Sequence, residues 1–208
     1  MPIVDAWKLC KRHAQTLLRA LLVSMTFGIG LAHADNPVQL EELVLQRNEE
    51  GIYLSTRLGF ELPQSLEDAL SRGLPLGFVM QADVMVEHWY WSDKLVSRTE
   101  RFVRLSFQPL SKRWRVYVSA QPIQSTGLGV SLGQSFENLS EALQSIQRIS
   151  RWRIADTSMV DIASKQRLEF RFKLDLSQLP QPLQFGVLGG GSGLEYAQSL
   201  RLQEDSFK

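Results

Sequence analysis

Cysteine and histidine are scarce in this chain of 208 residues. The one cysteine, Cys10, and two of the three histidines, His13 and His33, lie near the amino terminus, which leaves His88 alone in the rest of the chain. Zinc and copper sites are built mainly from clustered cysteine and histidine side chains. A lone histidine also offers no spacing from which a Ser-His-Asp triad could be recognised. We therefore expect no metal, no cofactor and no serine-hydrolase chemistry.

The first 34 residues have the pattern of a cleavable signal peptide. An uncharged apolar run of 13 residues, 20–32, precedes the small-x-small triplet that begins with Ala32 and ends with Ala34. Four basic residues stand before that run: Lys8, Lys11, Arg12 and Arg19. We predict cleavage between Ala34 and Asp35 and contact with the membrane only before cleavage. The alternative, an uncleaved anchor, needs an apolar run of roughly 20 residues.

Charge is nearly balanced once this segment is set aside. Four of the 23 basic and one of the 22 acidic residues lie in residues 1–34, which leaves 19 basic and 21 acidic residues and a net charge of −2. Phosphate binding requires a clear excess of basic charge, so we expect no nucleic-acid partner. The sequence predicts one periplasmic domain, residues 35–208, which holds together without disulfides.

Alternating apolar and polar residues predict antiparallel strands. The clearest segment is 168–176, in which Leu168, Phe170, Phe172 and Leu174 alternate with charged residues. The other predicted strands are 40–48, 52–61, 78–91, 95–107, 113–121 and 125–134. A turn is expected around residues 109–112. Residues 183–188 would add a short edge strand, and the glycine-rich residues 189–193 would form a flexible segment.

Two short helices are predicted between the strands. The first begins at Ser65, with Asp68 completing an approximate capping box, and ends at Gly73. The second begins at an Asn138 cap and runs to about Arg151, longer than the first by a turn or more. Its apolar stripe consists of Leu139, Ala142, Leu143, Ile146 and Ile149.

Few helices among many alternating strands indicate an α+β domain with antiparallel sheets. A shift of 73 residues superimposes segment 65–70 on 138–143 and the strand pairs that precede them. One interpretation is therefore a duplicated unit of strand, strand, helix, strand, strand. The alternative interpretations are two unrelated capped helices and, for the whole chain, a β-sandwich with inserted helices.

Two groups of residues are candidates for an interaction surface. Trp89 and Trp91 would lie on the polar side of their strand, where exposed tryptophans suit a sugar or a protein partner. The alternative is that another segment covers them. Arg98, Arg101 and Arg104 form a basic group on the next strand, which would suit an anionic ligand or an acidic partner, or would simply be a solvated strand face.

Asp83 and Glu87 are candidates for catalytic carboxylates. Two carboxylates can hydrolyse a glycoside without histidine or a metal. Residues four apart on a strand are roughly 13 Å apart at the backbone, which is far for such a pair. An envelope hydrolase is therefore the weaker alternative.

Several segments together resemble a proteobacterial domain-of-unknown-function family numbered 4390. They are EDAL at 67–70, GLPL at 73–76, WYWSD at 89–93, RLSF at 104–107, KRWRV at 112–116 and LDLSQLP at 174–180. The resemblance implies export from a Gram-negative cell and a gene beside a membrane-bound sensor kinase of the nitrogen-regulation type. It implies no catalytic motif, and the glycine-rich residues 189–193 are not part of it.

These observations predict a non-catalytic periplasmic interaction or ligand-sensing module that acts on a membrane-bound sensor kinase or another envelope protein. The alternatives are the carboxylate-based envelope hydrolase and a carrier of an apolar ligand. We expect no enzyme activity.

Overall fold

The computed structural model describes residues 38–88, 92–123, 132–161, 164–179 and 193–207, all of which belong to one compact unit. Their strands are β1 Val38–Arg47, β2 Ile52–Phe60, β3 Leu76–Val86, β4 Lys94–Gln108, β5 Arg113–Ser119, β6 Leu132–Phe136, β7 Arg148–Ala155, β8 Gln166–Asp175 and β9 Glu195–Arg201. Their α-helices are α1 Gln64–Ser71 and α2 Leu139–Gln147.

The strands form two antiparallel sheets. One has the order β1-β2-β7, and the other has the order β6-β5-β4-β3-β8-β9. Every pairing between neighbouring strands in these sheets is antiparallel. Within the described residues there is no closed barrel. The predicted α+β class, with antiparallel sheets and two short helices, is confirmed.

Alternation along the strands gives each sheet a buried face. In β8, Leu168, Phe170 and Phe172 are buried and alternate with charged residues, as predicted. Phe60 of β2 lies 5.1 Å from Phe172 and 5.8 Å from Phe78 of β3, measured between ring centroids. The buried faces of both sheets therefore contribute to one core, and each fully buried side chain of this size stabilises the fold by about 1.5–3 kcal/mol.

Helix α1 does not begin at the predicted Ser65 cap. Pro63 is the residue before the helix, and its carbonyl accepts the backbone N–H groups of Leu66 and Glu67 at 2.9 and 3.2 Å. The Asp68 carboxylate accepts the Gln64 amide at 3.2 Å, so no capping box forms. The fixed φ of proline, here −57°, suits the start of a helix. The predicted stop at Gly73 is confirmed by its φ of +86°.

Helix α2 begins as predicted and ends earlier. The Asn138 side chain accepts the backbone N–H of Glu141 at 3.0 Å, which confirms the cap. The helix ends at Gln147, and the predicted continuation through Ile149 to Arg151 is wrong because Arg148–Ala155 forms β7. Pairing of β7 with β2 buries Ile149 and outweighs the helical spacing of the apolar residues. The helix is nine residues long against eight for α1, so the predicted extra turn is absent.

The order of elements is repeated, but the strand pairing is not. Strand, strand, helix, strand, strand describes both β1 to β4 and β5 to β8, as the duplication hypothesis expects. However, β2 pairs with β1 and β7, whereas its counterpart β6 pairs with β5 at the edge of the described sheet. The two halves therefore hold different positions in the sheets.

The last strand was not predicted. Strand β9 pairs with β8 and forms the other edge of the six-stranded sheet. The predicted edge strand 183–188 and the glycine-rich residues 189–192 lie outside the described residues, and Gly193 is exposed. Strand β3 ends at Val86, short of the predicted residue 91. In residues 38–88, 92–123, 132–161, 164–179 and 193–207, no helix is long and apolar enough to cross a membrane.

Candidate functional site

The three candidate arginines of strand β4 do not lie on the same face of the six-stranded sheet. Arg98 is opposite Asp83 and Arg104 is opposite Gly77, whereas Arg101 is opposite Met80, whose side chain belongs to the core. Residues three apart on a strand point to opposite faces. The structure therefore separates Arg101 from the other two. Trp89 and Trp91, the remaining candidates for this surface, lie outside the described residues.

Asp83 is a buried carboxylate on the outer face of the sheet. It is 2% exposed, and its two oxygens accept Arg98 Nε at 2.8 Å and Arg98 Nη2 at 3.0 Å. Gln81 donates to it at 2.7 Å, and Arg171 lies 3.8 Å away. Burial raises the pKa of Asp83, but the hydrogen bonds from Arg98 and Gln81 and the charges of Arg98 and Arg171 lower it by more, so that the pKa is below its ordinary value.

The other acidic candidate, Glu87, also lies among arginines. It is 3.8 Å from Arg167 and 3.3 Å from Arg201. Arg167 also binds Asp93 at 2.7 Å and Glu169 at 2.6 Å. Hydrogen bonding to Glu169 and the charges of Asp93 and Glu169 raise the pKa of Arg167 despite its partial desolvation.

We call these ion pairs the outer-face network. Its members are Asp83, Glu87, Asp93, Arg98, Arg167, Glu169, Arg171 and Arg201. Each carboxylate in it is held by at least one arginine. A general acid needs a proton near neutral pH, whereas the lowered pKa of Asp83 favours its ionised form. This arrangement disfavours a role for Asp83 as the general acid of a hydrolase.

A cavity of about 570 Å³ lies on the other face of the sheet, between β4, β5 and β6 on one side and α2 and the start of β7 on the other. The residues that line it are Arg101, Val116, Val118, Gln134, Phe136, Glu141, Gln144, Ser145, Arg148 and Ser150. Small-molecule sites have volumes of roughly 300–1,000 Å³. The size of this cavity is therefore that of a small-ligand site.

Arg101 brings an unpaired charge into this cavity. Its Nε is buried and has no hydrogen-bond partner, and none of the described residues forms an ion pair with it. Burial lowers the pKa of Arg101 below its ordinary value, although a guanidinium stays charged in proteins. Arg115 also has a buried Nε, but its Nη1 donates to Tyr117 Oη at 3.1 Å. Among the described residues, both arginines therefore have a buried Nε without a partner, but only in Arg115 does another guanidinium nitrogen have one.

Arg148 is a second cation at this cavity. It is the first residue of β7, where the chain leaves α2, and its side chain lines both the main cavity and a smaller space of about 260 Å³ beside Arg57. Glu141, in the first turn of α2, also lines the main cavity. Within the part of the chain that is described, Glu141 forms no ion pair with Arg101 or Arg148. The lining thus carries two positive charges and one negative charge.

The sequence indicated Arg101 as a candidate but missed the cavity. Arg101 is in phase with Val103 and Leu105, which are buried, so extending the alternation backward along β4 would have placed it on the inner face. Arg148 was missed because it was assigned to the helix. Glu141, which lies inside the predicted second helix, was not a candidate either.

In the described ranges, no group of three or more histidine, cysteine, aspartate or glutamate side chains is arranged to hold a metal ion.

The fold and the cavity define an α+β domain of antiparallel sheets with a basic site between a helix and a sheet. The family described as a domain of unknown function, DUF4390, matches residues 35–192. This match covers most of the chain, and the chain belongs to that family. No curated protein and no solved structure matched the chain.

Proposed function

We propose that the protein is a non-catalytic, ligand-binding module and that the cavity lined by Arg101 and Arg148 is its binding site. The observation that carries the proposal is the buried, unpartnered Nε of Arg101. A buried N–H without a partner costs about 1–3 kcal/mol of folding free energy. An anionic ligand in the cavity would compensate the unpaired charge of this guanidinium by accepting its terminal N–H groups.

A non-catalytic role is supported by where the carboxylates lie. Of the described residues that line the cavity, Glu141 is the one carboxylate, whereas Asp83 and Glu87 are in the outer-face network with arginines. Acid–base hydrolysis by carboxylates requires two of them across the bond to be cleaved. The cavity therefore has groups that hold an anion and lacks the pair that would cleave one.

Export to the periplasm of a Gram-negative bacterium is part of the proposal. It is supported by the signal-peptide pattern of residues 1–34 and by the family match, which begins at residue 35, the first residue after the predicted cleavage site. The resemblance to a family encoded beside membrane-bound sensor kinases supports a role in which the ligand-loaded domain acts on such a kinase.

The proposal is tested by thermal unfolding of the purified protein with and without small anions. We expect anions such as hexanoate, benzoate or sulfate, tested one by one, to raise the melting temperature in at least one case, since a ligand that binds only the native state stabilises it. Arg101→Gln should abolish the rise.

The matched control is Arg47→Gln. Arg47 is exposed at the end of β1 and does not line the cavity, so this variant makes the same change of charge and should keep the rise. If no anion stabilises the native protein, or if Arg101→Gln responds like the native protein, the cavity is not the binding site.

A further inference from the structure

We infer that the ligand of this cavity is a small organic monoanion with an apolar group, such as a short carboxylic acid. Its carboxylate would be bound by Arg101 and its apolar part would lie against Val116, Val118 and Phe136. This inference rests on the proposed function and specifies the chemical class of the ligand.

Strands β5 and β6 form an apolar wall of the cavity. Val116 and Val118 alternate toward the inner face of the sheet, and Phe136 of the edge strand β6 joins them. Val116 is buried, but Val118 and Phe136 are only half-buried. Apolar surface that faces the cavity gains free energy when a ligand covers it. A purely polar anion would leave this wall exposed.

The charges of the residues that line the cavity favour a ligand with a single negative charge. Arg101 and Arg148 contribute two positive charges, and Glu141 contributes one negative charge. A monoanion balances the net charge of this lining. A dianion would add a second negative charge close to Glu141, and like charges at short range repel each other more strongly in a partly desolvated site than in water.

The geometry of the donor favours a carboxylate. The guanidinium group presents its N–H groups in a planar fork that matches the two oxygens of a carboxylate. In Arg101 the Nε–H, one side of that fork, is already free of protein partners and shielded from water. A ligand in the cavity does not reach this shielded group, so its carboxylate is expected to accept from the two terminal nitrogens of the same arginine.

The experiment is a titration of ¹⁵N-labelled protein followed by NMR at the Nε–Hε resonance of Arg101. The probes are hexanoate, benzoate, sulfate and hexanol, of which sulfate carries two charges and no apolar group, and hexanol carries no charge. We expect hexanoate or benzoate to shift this resonance and to bind at least about tenfold more tightly than sulfate or hexanol. Sulfate lacks the apolar contact and hexanol lacks the charge-assisted hydrogen bond, and the loss of either contact is expected to weaken binding by about this factor.

Two variants test whether the charge of the lining selects the ligand. Glu141→Gln removes the negative charge of the lining and keeps the Asn138 cap, whose donor is the backbone of residue 141; it should improve the binding of sulfate more than that of hexanoate. Arg47→Gln is the control and should leave all four affinities unchanged.

The outcomes separate the inference from the proposed function. Sulfate that shifts the Arg101 resonance and binds as tightly as both acids would overturn the ligand class and leave the proposed function standing. Hexanol that binds as tightly as hexanoate would overturn the requirement for charge. If no probe shifts the resonance, both the ligand class and the proposed site are wrong. The titration of the native protein decides these cases even if a variant does not fold.

Discussion

Asp83 and Arg98 face each other across β3 and β4, and two nitrogens of Arg98 donate to the two oxygens of Asp83 at 2.8 and 3.0 Å. The carboxylate is buried, whereas half of the Arg98 side chain is exposed. The ion pair therefore joins a carboxylate that is shielded from water to a guanidinium group that is partly hydrated. Replacing Arg98 would leave a buried carboxylate without its main partner, whereas replacing Asp83 would leave an arginine that water can reach, so the first change is expected to cost more.

We expect Asp83→Asn to lower the free energy of unfolding by roughly 1–3 kcal/mol, because hydrogen bonds to a buried charged group contribute about this much. Urea denaturation measures the change. The control is Glu137→Gln, which removes a carboxylate that is 78% exposed and pairs with Arg113 at 3.3 Å; exposed pairs contribute about 0–1 kcal/mol. Equal losses in the two variants would contradict the structural role given to Asp83.

The contribution of Asp83 should depend on pH. Since its pKa is lower in the folded protein than in the unfolded chain, the stabilisation is fully present above the ordinary aspartate pKa of about 4 and is lost as the pH falls through the lower folded value. The difference in unfolding free energy between the native protein and Asp83→Asn should thus be constant from neutral pH down to about pH 5 and should shrink toward about pH 3. A difference that grows in acid would contradict this assignment.

Two hydroxyl groups connect the sheets through one carbonyl. Ser97 and Thr99 of β4 both donate to the carbonyl oxygen of Ile154 in β7 at 2.9 Å. We expect Thr99→Val to lower the free energy of unfolding by about 0.5–1.5 kcal/mol, the usual contribution of one hydrogen bond. Ser106→Ala is the control: Ser106 is on the outer face of the same strand, opposite Arg115 of β5, and its loss should change stability by less than about 0.5 kcal/mol.

The aromatic contact between the sheets should dominate core stability. Phe172 is fully buried and lies 5.1 Å from Phe60 and 5.9 Å from Phe78. Phe172→Ala is expected to cost about 3–5 kcal/mol, since it removes a large side chain and leaves a cavity. Leu110→Ala, at a fully exposed side chain in the turn after β4, should be neutral. Denaturation midpoints of the two variants compare them directly, and a small loss for Phe172→Ala would show that the sheets are held together elsewhere.

The strands were predictable where one face of the strand is buried and the other is exposed to solvent. The alternation from Leu168 onward predicted β8 to within two residues of its ends, because burial selects every second residue. Helix α2 was predicted too long because Ile146 and Ile149 are three residues apart, a spacing that suits a helix. Pairing with β2 places Ile149 in a strand, and one sequence does not reveal that long-range contact.

The proposed binding site was only partly predictable. Arg101 was identified as a candidate, but it was grouped with Arg98 and Arg104, which are on the other face of the sheet. The alternation rule could have separated them. The contributions of Arg148 and Glu141 depend on how α2 and β7 pack against the sheet, and local patterns in the sequence do not contain this information.

The outer-face network contains four arginines and four carboxylates. Beyond about 8–10 Å, the screening length at physiological salt, the fields of such closely paired charges largely cancel. An approaching anion would be guided by the unpaired cations of the cavity instead of by the paired ones opposite. Capture of the ligand should then slow as salt is added, while the release rate, which short-range contacts govern, changes little.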